Sequence, residues 1–219
     1  MDIVFAMILS IGIKGISAVV EIAIQMLITN GVGVSEYGDY TFFVSLIEGA
    51  YFLLFSGSIK LNTFYLSTPS ASLSKFKKKY ALCFVTPIIA AIVAIFALMK
   101  NPYGILAGVI LYIYYFAFDM SSVFFSRGKQ LPALLGEYLF GRVVLLIGML
   151  VVIRLNAATG LMLLTLYGLQ FVTMLLWFAP HKGKLTQGTS EVEVPIKKLM
   201  EYQMSDVANS LISYAPTIL

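Results

Sequence analysis

The chain holds one cysteine, Cys83, and one histidine, His181, so neither a disulfide framework nor a thiol or imidazole metal cluster can be assembled from it. His181 follows Pro180 beside Lys182, where a lone histidine is a solvated loop residue with no partner for nucleophilic chemistry. Gly31, Val32 and Gly33 lack the strand and third glycine of a dinucleotide site, and no lysine stands at phosphate-loop spacing. Charged residues are scarce too, at 12% against about a quarter in soluble domains. That scarcity excludes an ordinary soluble globule, and the net charge of +4 gives no reason to expect a nucleic-acid partner. Alternation of apolar and polar residues is missing as well, which excludes a transmembrane barrel.

What fills the 219 residues instead is apolar: 59% hydrophobic, with a mean hydropathy of +0.90. The apolar stretches come as continuous runs near the ~20 residues a helix needs to cross a bilayer. Lipid permits only helices or closed barrels, so the fold class is an all-α polytopic bundle. Six complete spans are expected, at 3–29, 40–66, 80–99, 102–125, 131–153 and 158–178, with the start of a seventh near Val207. Three units follow: a six-helix lobe (1–179), a basic linker (180–198) and the truncated beginning of a second lobe (199–219), so the chain reads as a fragment of something longer. The first span lacks a basic leader and a cleavage site, and is expected to stay as a helix.

Orientation follows from the basic residues, because short basic loops resist translocation. Lys75, Lys77, Lys78, Lys79, Arg127, Lys129, Lys182, Lys184, Lys197 and Lys198 follow spans two, four and six, whereas only Lys100 and Arg154 follow the odd-numbered ones. The N-terminus is therefore expected in the cytoplasm. Three bases remain inside the membrane: Lys14, Lys60 and Arg142.

Ionisable residues at depth are costly and mark functional positions. In span one, Ser10, Lys14, Ser17, Glu21 and Gln25 fall within an arc of about 80°. Span two carries Thr41, Ser45, Glu48, Ser56 and Thr63, with Lys60 to one side; span four carries Gly108, Tyr112, Tyr115, Asp119, Ser122 and Ser126; the seventh run carries Asp206, Asn209, Ser210, Ser213 and Thr217. Helices one, two, four, five and seven are thus expected to line a hydrophilic interior, with the uncharged third and sixth outside it. Alternatives stand for several charges. Lys14 and Glu21 either pair or face a cavity, Lys60 either snorkels or binds, and Glu48 meets Gln25 or a cavity. Arg142 binds an anionic cargo or pairs with Asp119. Asp119 and Glu137 lie near a cytoplasmic end, as a solvated rim. Glu137 and Arg142, five apart, fall on nearly opposed helix faces.

A first helix with an internal lysine, then Gly33, Val34, Ser35, Glu36, Tyr37, Gly38, Asp39 and Tyr40 as a short outer turn, then a second helix broken at Ser56, Gly57 and Ser58, resembles the start of polysaccharide flippases. These O-antigen and capsule transporters belong to the multidrug, oligosaccharidyl-lipid and polysaccharide exporter superfamily. The resemblance implies an N-terminal half of a two-lobe transporter in the bacterial inner membrane. Such a transporter would flip a polyprenyl-pyrophosphate-linked repeat unit of O-antigen or capsule for lipopolysaccharide and polysaccharide biosynthesis, by alternating access. The resemblance also implies that Lys14 and Lys60 meet the pyrophosphate and that the hydroxyl and amide stripe, Ser17 and Gln25 included, meets the sugars; Arg142 joins the cargo-binding candidates on its depth alone. Glu21, Glu48 or Asp206 would couple a proton or sodium gradient, no cofactor is expected, and partners would be the lipid-linked oligosaccharide, the bilayer and the polysaccharide polymerase machinery. A cation-coupled multidrug exporter of the same superfamily is the alternative. A membrane enzyme of glycan assembly is the less favoured one, since the short outer loops hold no histidine.

Overall fold

The computed structural model describes residues 3–66 and 102–180, with isolated positions 75, 85, 88, 89, 92, 93, 201 and 205. Among these, all regular structure is helical. Five helices are described: α1 (Ile3–Gly31), α2 (Val34–Tyr65), α3 (Pro102–Ser126), α4 (Gln130–Arg154) and α5 (Gly160–Phe178). Four segments, Met7–Gly31, Pro102–Ser126, Gln130–Arg154 and Gly160–Phe178, are long and apolar enough to cross a membrane. They coincide with expected spans one, four, five and six, and mark the chain as a membrane protein. Span two corresponds to α2. Of the expected third span only Val85, Ile88, Ile89, Ile92 and Val93 are described, and all are helical. The seventh run and nearly all of the linker lie outside the described residues.

Local chemistry explains the helix ends. Pro102 opens α3 where a missing N–H costs nothing. Between α3 and α4 the chain turns at Gly128, whose φ of 71° suits a residue without Cβ. Thr159 caps α5, its hydroxyl accepting from the Met162 N–H at 3.3 Å. Glu36 reaches across from α2 and accepts from the Gly160 N–H, placing a carboxylate at the positive end of α5. This corrects the reading of 33–40 as a turn: the turn is confined to Val32 and Gly33, and Ser35 to Tyr40 already belong to α2.

Consecutive helices are not always neighbours. α3 sits centrally between α2 and α5, α5 also packs on α4, and α1 lies mainly against α4 while barely touching α2. A column of rings joins the centre, with Tyr114 stacked between Tyr51 (4.1 Å between centroids) and Phe171 (4.3 Å). Close approach relies on small residues. A Cβ at Gly141 would come within 2.8 Å of the Gln170 carbonyl oxygen, so α4 and α5 meet backbone to side-chain-free backbone there. Ile8, Ile11, Val19 and Ile22 of α1, with Ile147 and Leu176, face outward and are more than half exposed, as lipid contact requires.

A polar cluster fastens α2 to α3. The Asn62 amide donates to Asp119 Oδ1 at 2.5 Å and to Ser122 Oγ at 3.1 Å, and all three residues are buried. Asp119 is only 1% exposed, which overturns its assignment to a solvated rim. The reason lies in α2, which continues to Tyr65 and carries Asn62 over the carboxylate. Tyr112, expected to face the interior, is instead 44% exposed.

Two alanine substitutions separate packing from propensity. Gly141→Ala is expected to lower stability by about 1–3 kcal/mol, because a backbone must move. Gly12→Ala, with nothing within 4 Å, should be neutral or stabilising by up to about 1 kcal/mol. Thermal unfolding in detergent, with near-equal shifts for both variants, would contradict this packing.

Candidate functional site

Helix α4 is not uniform: it is α-helical over Gln130–Leu134, π-helical over Leu135–Phe140 and α-helical again over Gly141–Arg154. A π-turn bonds residue i to i+5, so residues five apart come round to the same side. This overturns the expectation that Glu137 and Arg142 lie on opposed faces. Both line one cleft. Regular 3.6-residue phasing does not anticipate a widened turn, and nothing in the local sequence announces it.

The cleft occupies about 340 Å³ and takes residues from all five helices. It lies where α1 and α2 splay apart after their shared turn, while α4 and α5 close the far wall. Among the described lining residues, ionisable chemistry comes from Glu21 of α1, Glu48 of α2, and Glu137 and Arg142 of α4. Tyr37, Tyr40, Tyr114 and Tyr167 supply aromatic surface with hydroxyls, and Gln25 and Gln170 supply amides. Three carboxylates thus stand against one guanidinium.

Each charged group has a partner from a different helix. Arg142 forms an ion pair with Glu21, joining α4 to α1, and the two side chains are 32% and 42% exposed. Tyr167 donates its hydroxyl to Glu48 Oε1 at 3.0 Å, joining α5 to α2. Ser121 donates to Glu137 Oε2 at 2.9 Å, joining α3 to α4. Tyr40 meets Tyr167 edge to face at 6.4 Å. A polar interior this closely tied holds the helices at fixed separation while leaving a gap between them.

The sequence candidates separate into three groups. Arg142, Gln25, Glu21 and Glu48 line the cleft. Ser17 and Lys14 do not: Ser17 is 3% exposed and packed within the bundle, and the Lys14 ammonium lies 5.5 Å from the centroid of the Tyr138 ring. A cation over an aromatic face is partly compensated there, so Lys14 is neither paired with Glu21 nor aimed into the cleft. Arg142 pairs with Glu21 rather than with Asp119, which Asn62 already engages. The side chain of Lys60 and all of Asp206 lie outside the described residues. Glu137 belongs to the cleft wall, not to a rim.

Sequence reasoning located the sixth span but misplaced it relative to the cleft. α5 carries no charge and was expected outside the hydrophilic interior, yet Tyr167, Gln170 and Phe171 form part of the cleft. Gln170 three residues after Tyr167 was the available signal. No family model, no curated protein and no solved structure matches the chain.

The cleft should admit water. With Cys83 replaced by Ser, cysteines placed at Glu48 and Arg142 are expected to react with a charged thiol reagent in bilayer-embedded protein, and one at the outward-facing Ile147 should not. Equal labelling at all three would mean that no polar gap exists. Tyr167→Phe, which removes the donor to Glu48, is expected to cost about 1 kcal/mol in thermal unfolding.

Proposed function

We propose that the chain is the N-terminal, six-span lobe of a transporter in the bacterial inner membrane, with its N-terminus in the cytoplasm. Its cargo is a polyprenyl-pyrophosphate-linked oligosaccharide moved by alternating access. One observation carries this reading: a cleft of about 340 Å³ with carboxylates, a guanidinium, amides and tyrosines from every described helix, inside a bundle whose outer face is apolar. Ionisable groups retained at membrane depth line substrate or ion pathways. Tyrosine faces can pack on sugar rings while Gln25, Gln170 and the carboxylates take up hydroxyls. Arg142 offers an oxyanion the fork that phosphate recognition favours. The resemblance of the 33–40 segment to the start of polysaccharide flippases supports the same cargo. Coupling to a proton or sodium gradient would fall to Glu21 or Glu48, both at the cleft.

A second reading is favoured by the excess of three carboxylates over one guanidinium. A cleft of that balance suits an organic cation, as in a cation-coupled drug exporter.

The two readings part at Arg142. In the intact transporter, Arg142→Gln is expected to abolish surface polysaccharide while the protein still inserts, and Lys14→Ala, off the cleft, should be much milder. Polysaccharide at the normal level with Arg142→Gln would defeat the flippase reading; tighter binding of tetraphenylphosphonium by the same variant would favour the exporter.

A further inference from the structure

Among the described lining residues of the cleft, Arg142 is the single guanidinium, and the Glu21 carboxylate already holds it. The other two carboxylates are engaged differently, Glu48 by the Tyr167 hydroxyl at 3.0 Å and Glu137 by the Ser121 hydroxyl at 2.9 Å. Carboxylate and phosphate present the same pair of acceptor oxygens to a guanidinium, and the planar fork accepts either. Glu21 therefore stands where a phosphate-class anion would stand.

We propose that Glu21 is a built-in competitor: it fills the anion position on Arg142 while the cleft is empty and gives way when the phosphate group of a cargo arrives. This rests on the flippase reading and names how its site selects. An incoming anion gains only the difference between its own contact with Arg142 and the one Glu21 already makes. A bare phosphate has nothing more to offer and binds weakly. A phosphate that carries sugars also engages the tyrosines and amides along the cleft, and that added contact is what displaces the carboxylate. Selection then favours a loaded carrier over the free anions of the cytoplasm.

The geometry permits the exchange. Arg142 and Glu21 are 32% and 42% exposed, so their contact sits at the wall of the gap, where an anion can reach it without the bundle opening. The π-turn just before Arg142 sets it and Glu137 in the wall of the same cleft, where carboxylates outnumber the guanidinium. Once released, Glu21 shares its helix face with Gln25, one turn along, and need not be left unpaired.

The test is a titration of the full chain in neutral detergent with inorganic pyrophosphate and, separately, with a polyprenyl pyrophosphate carrying an oligosaccharide, at fixed pH and ionic strength; the second is expected to bind the unaltered chain more tightly than the first. Expected is weak binding of inorganic pyrophosphate to the unaltered chain and a gain of at least about tenfold in Glu21→Gln. Glu48→Gln, which removes one negative charge from the same cleft but not from Arg142, should gain less than about threefold. Arg142→Gln should bind neither probe. Should Glu21→Gln lose the α1 to α4 contact and fail to fold, Glu21→Asp keeps the charge on a shorter arm, and a smaller gain is expected from it. Equal gains in Glu21→Gln and Glu48→Gln would reduce the effect to net charge and overturn the competitor. Unaltered affinity in Glu21→Gln, with binding still lost in Arg142→Gln, would also overturn it while leaving the anionic cargo in place. If neither probe binds the unaltered chain or Glu21→Gln, the competitor and the flippase reading fall together.

Discussion

An ionisable side chain inside an apolar bundle must find a partner on another helix, and that requirement organises this molecule. Water is not at hand to solvate Glu21, Glu48, Glu137 or Arg142 on all sides, so each is met by a group from a neighbouring element. The pairings run α1 to α4, α2 to α5 and α3 to α4. Together they tie the described helices into a frame without closing the space between them. Apolar packing alone could not do this, because one lipid-facing surface is as good as another when the solvent is itself hydrocarbon.

Two levels of polar contact serve different ends. Asn62, Asp119 and Ser122 form a dry cluster, fully enclosed between α2 and α3, which fixes the register of the two helices. The groups at the cleft are only partly covered, and their partners can be exchanged for those of a bound molecule. Arg142 with Glu21 is the clearest case, since neither side chain is sealed in. The difference between a clamp and a binding surface is thus a difference in burial, with much the same chemistry on both sides. Glycine contributes to the clamp side as well: at Gly141 the α4 backbone lies against the α5 carbonyl of Gln170, which fixes how closely those two helices approach.

Legibility in the sequence varied with the kind of signal. Hydrophobic runs located closely the four helices long and apolar enough to cross a membrane, because a span is a local property of about 20 consecutive residues. Charge at depth pointed to Glu21, Glu48 and Arg142, and all three meet at the cleft. Lys14 lies beside the Tyr138 ring of another helix and not among the cleft's lining residues, a placement no local pattern could show. Asp119 was misjudged for the same reason, with Asn62 as the distant partner. Tyr167 and Gln170 escaped notice because an uncharged helix gives hydropathy nothing to flag.

Sequence by itself determined that this chain is apolar and helical, with runs long enough to cross a bilayer, since backbone polar groups in lipid can be satisfied only within a helix or a closed barrel. It also determined which few positions carry charge into that environment. Only the tertiary structure decided which of those charges meet. The π-turn at Leu135–Phe140 brings Glu137 and Arg142 to one side, the splay of α1 from α2 opens the gap, and the placement of Glu21 against Arg142 settles which carboxylate holds the guanidinium. The Glu21 to Arg142 contact joins residues more than a hundred positions apart, beyond the reach of any local periodicity.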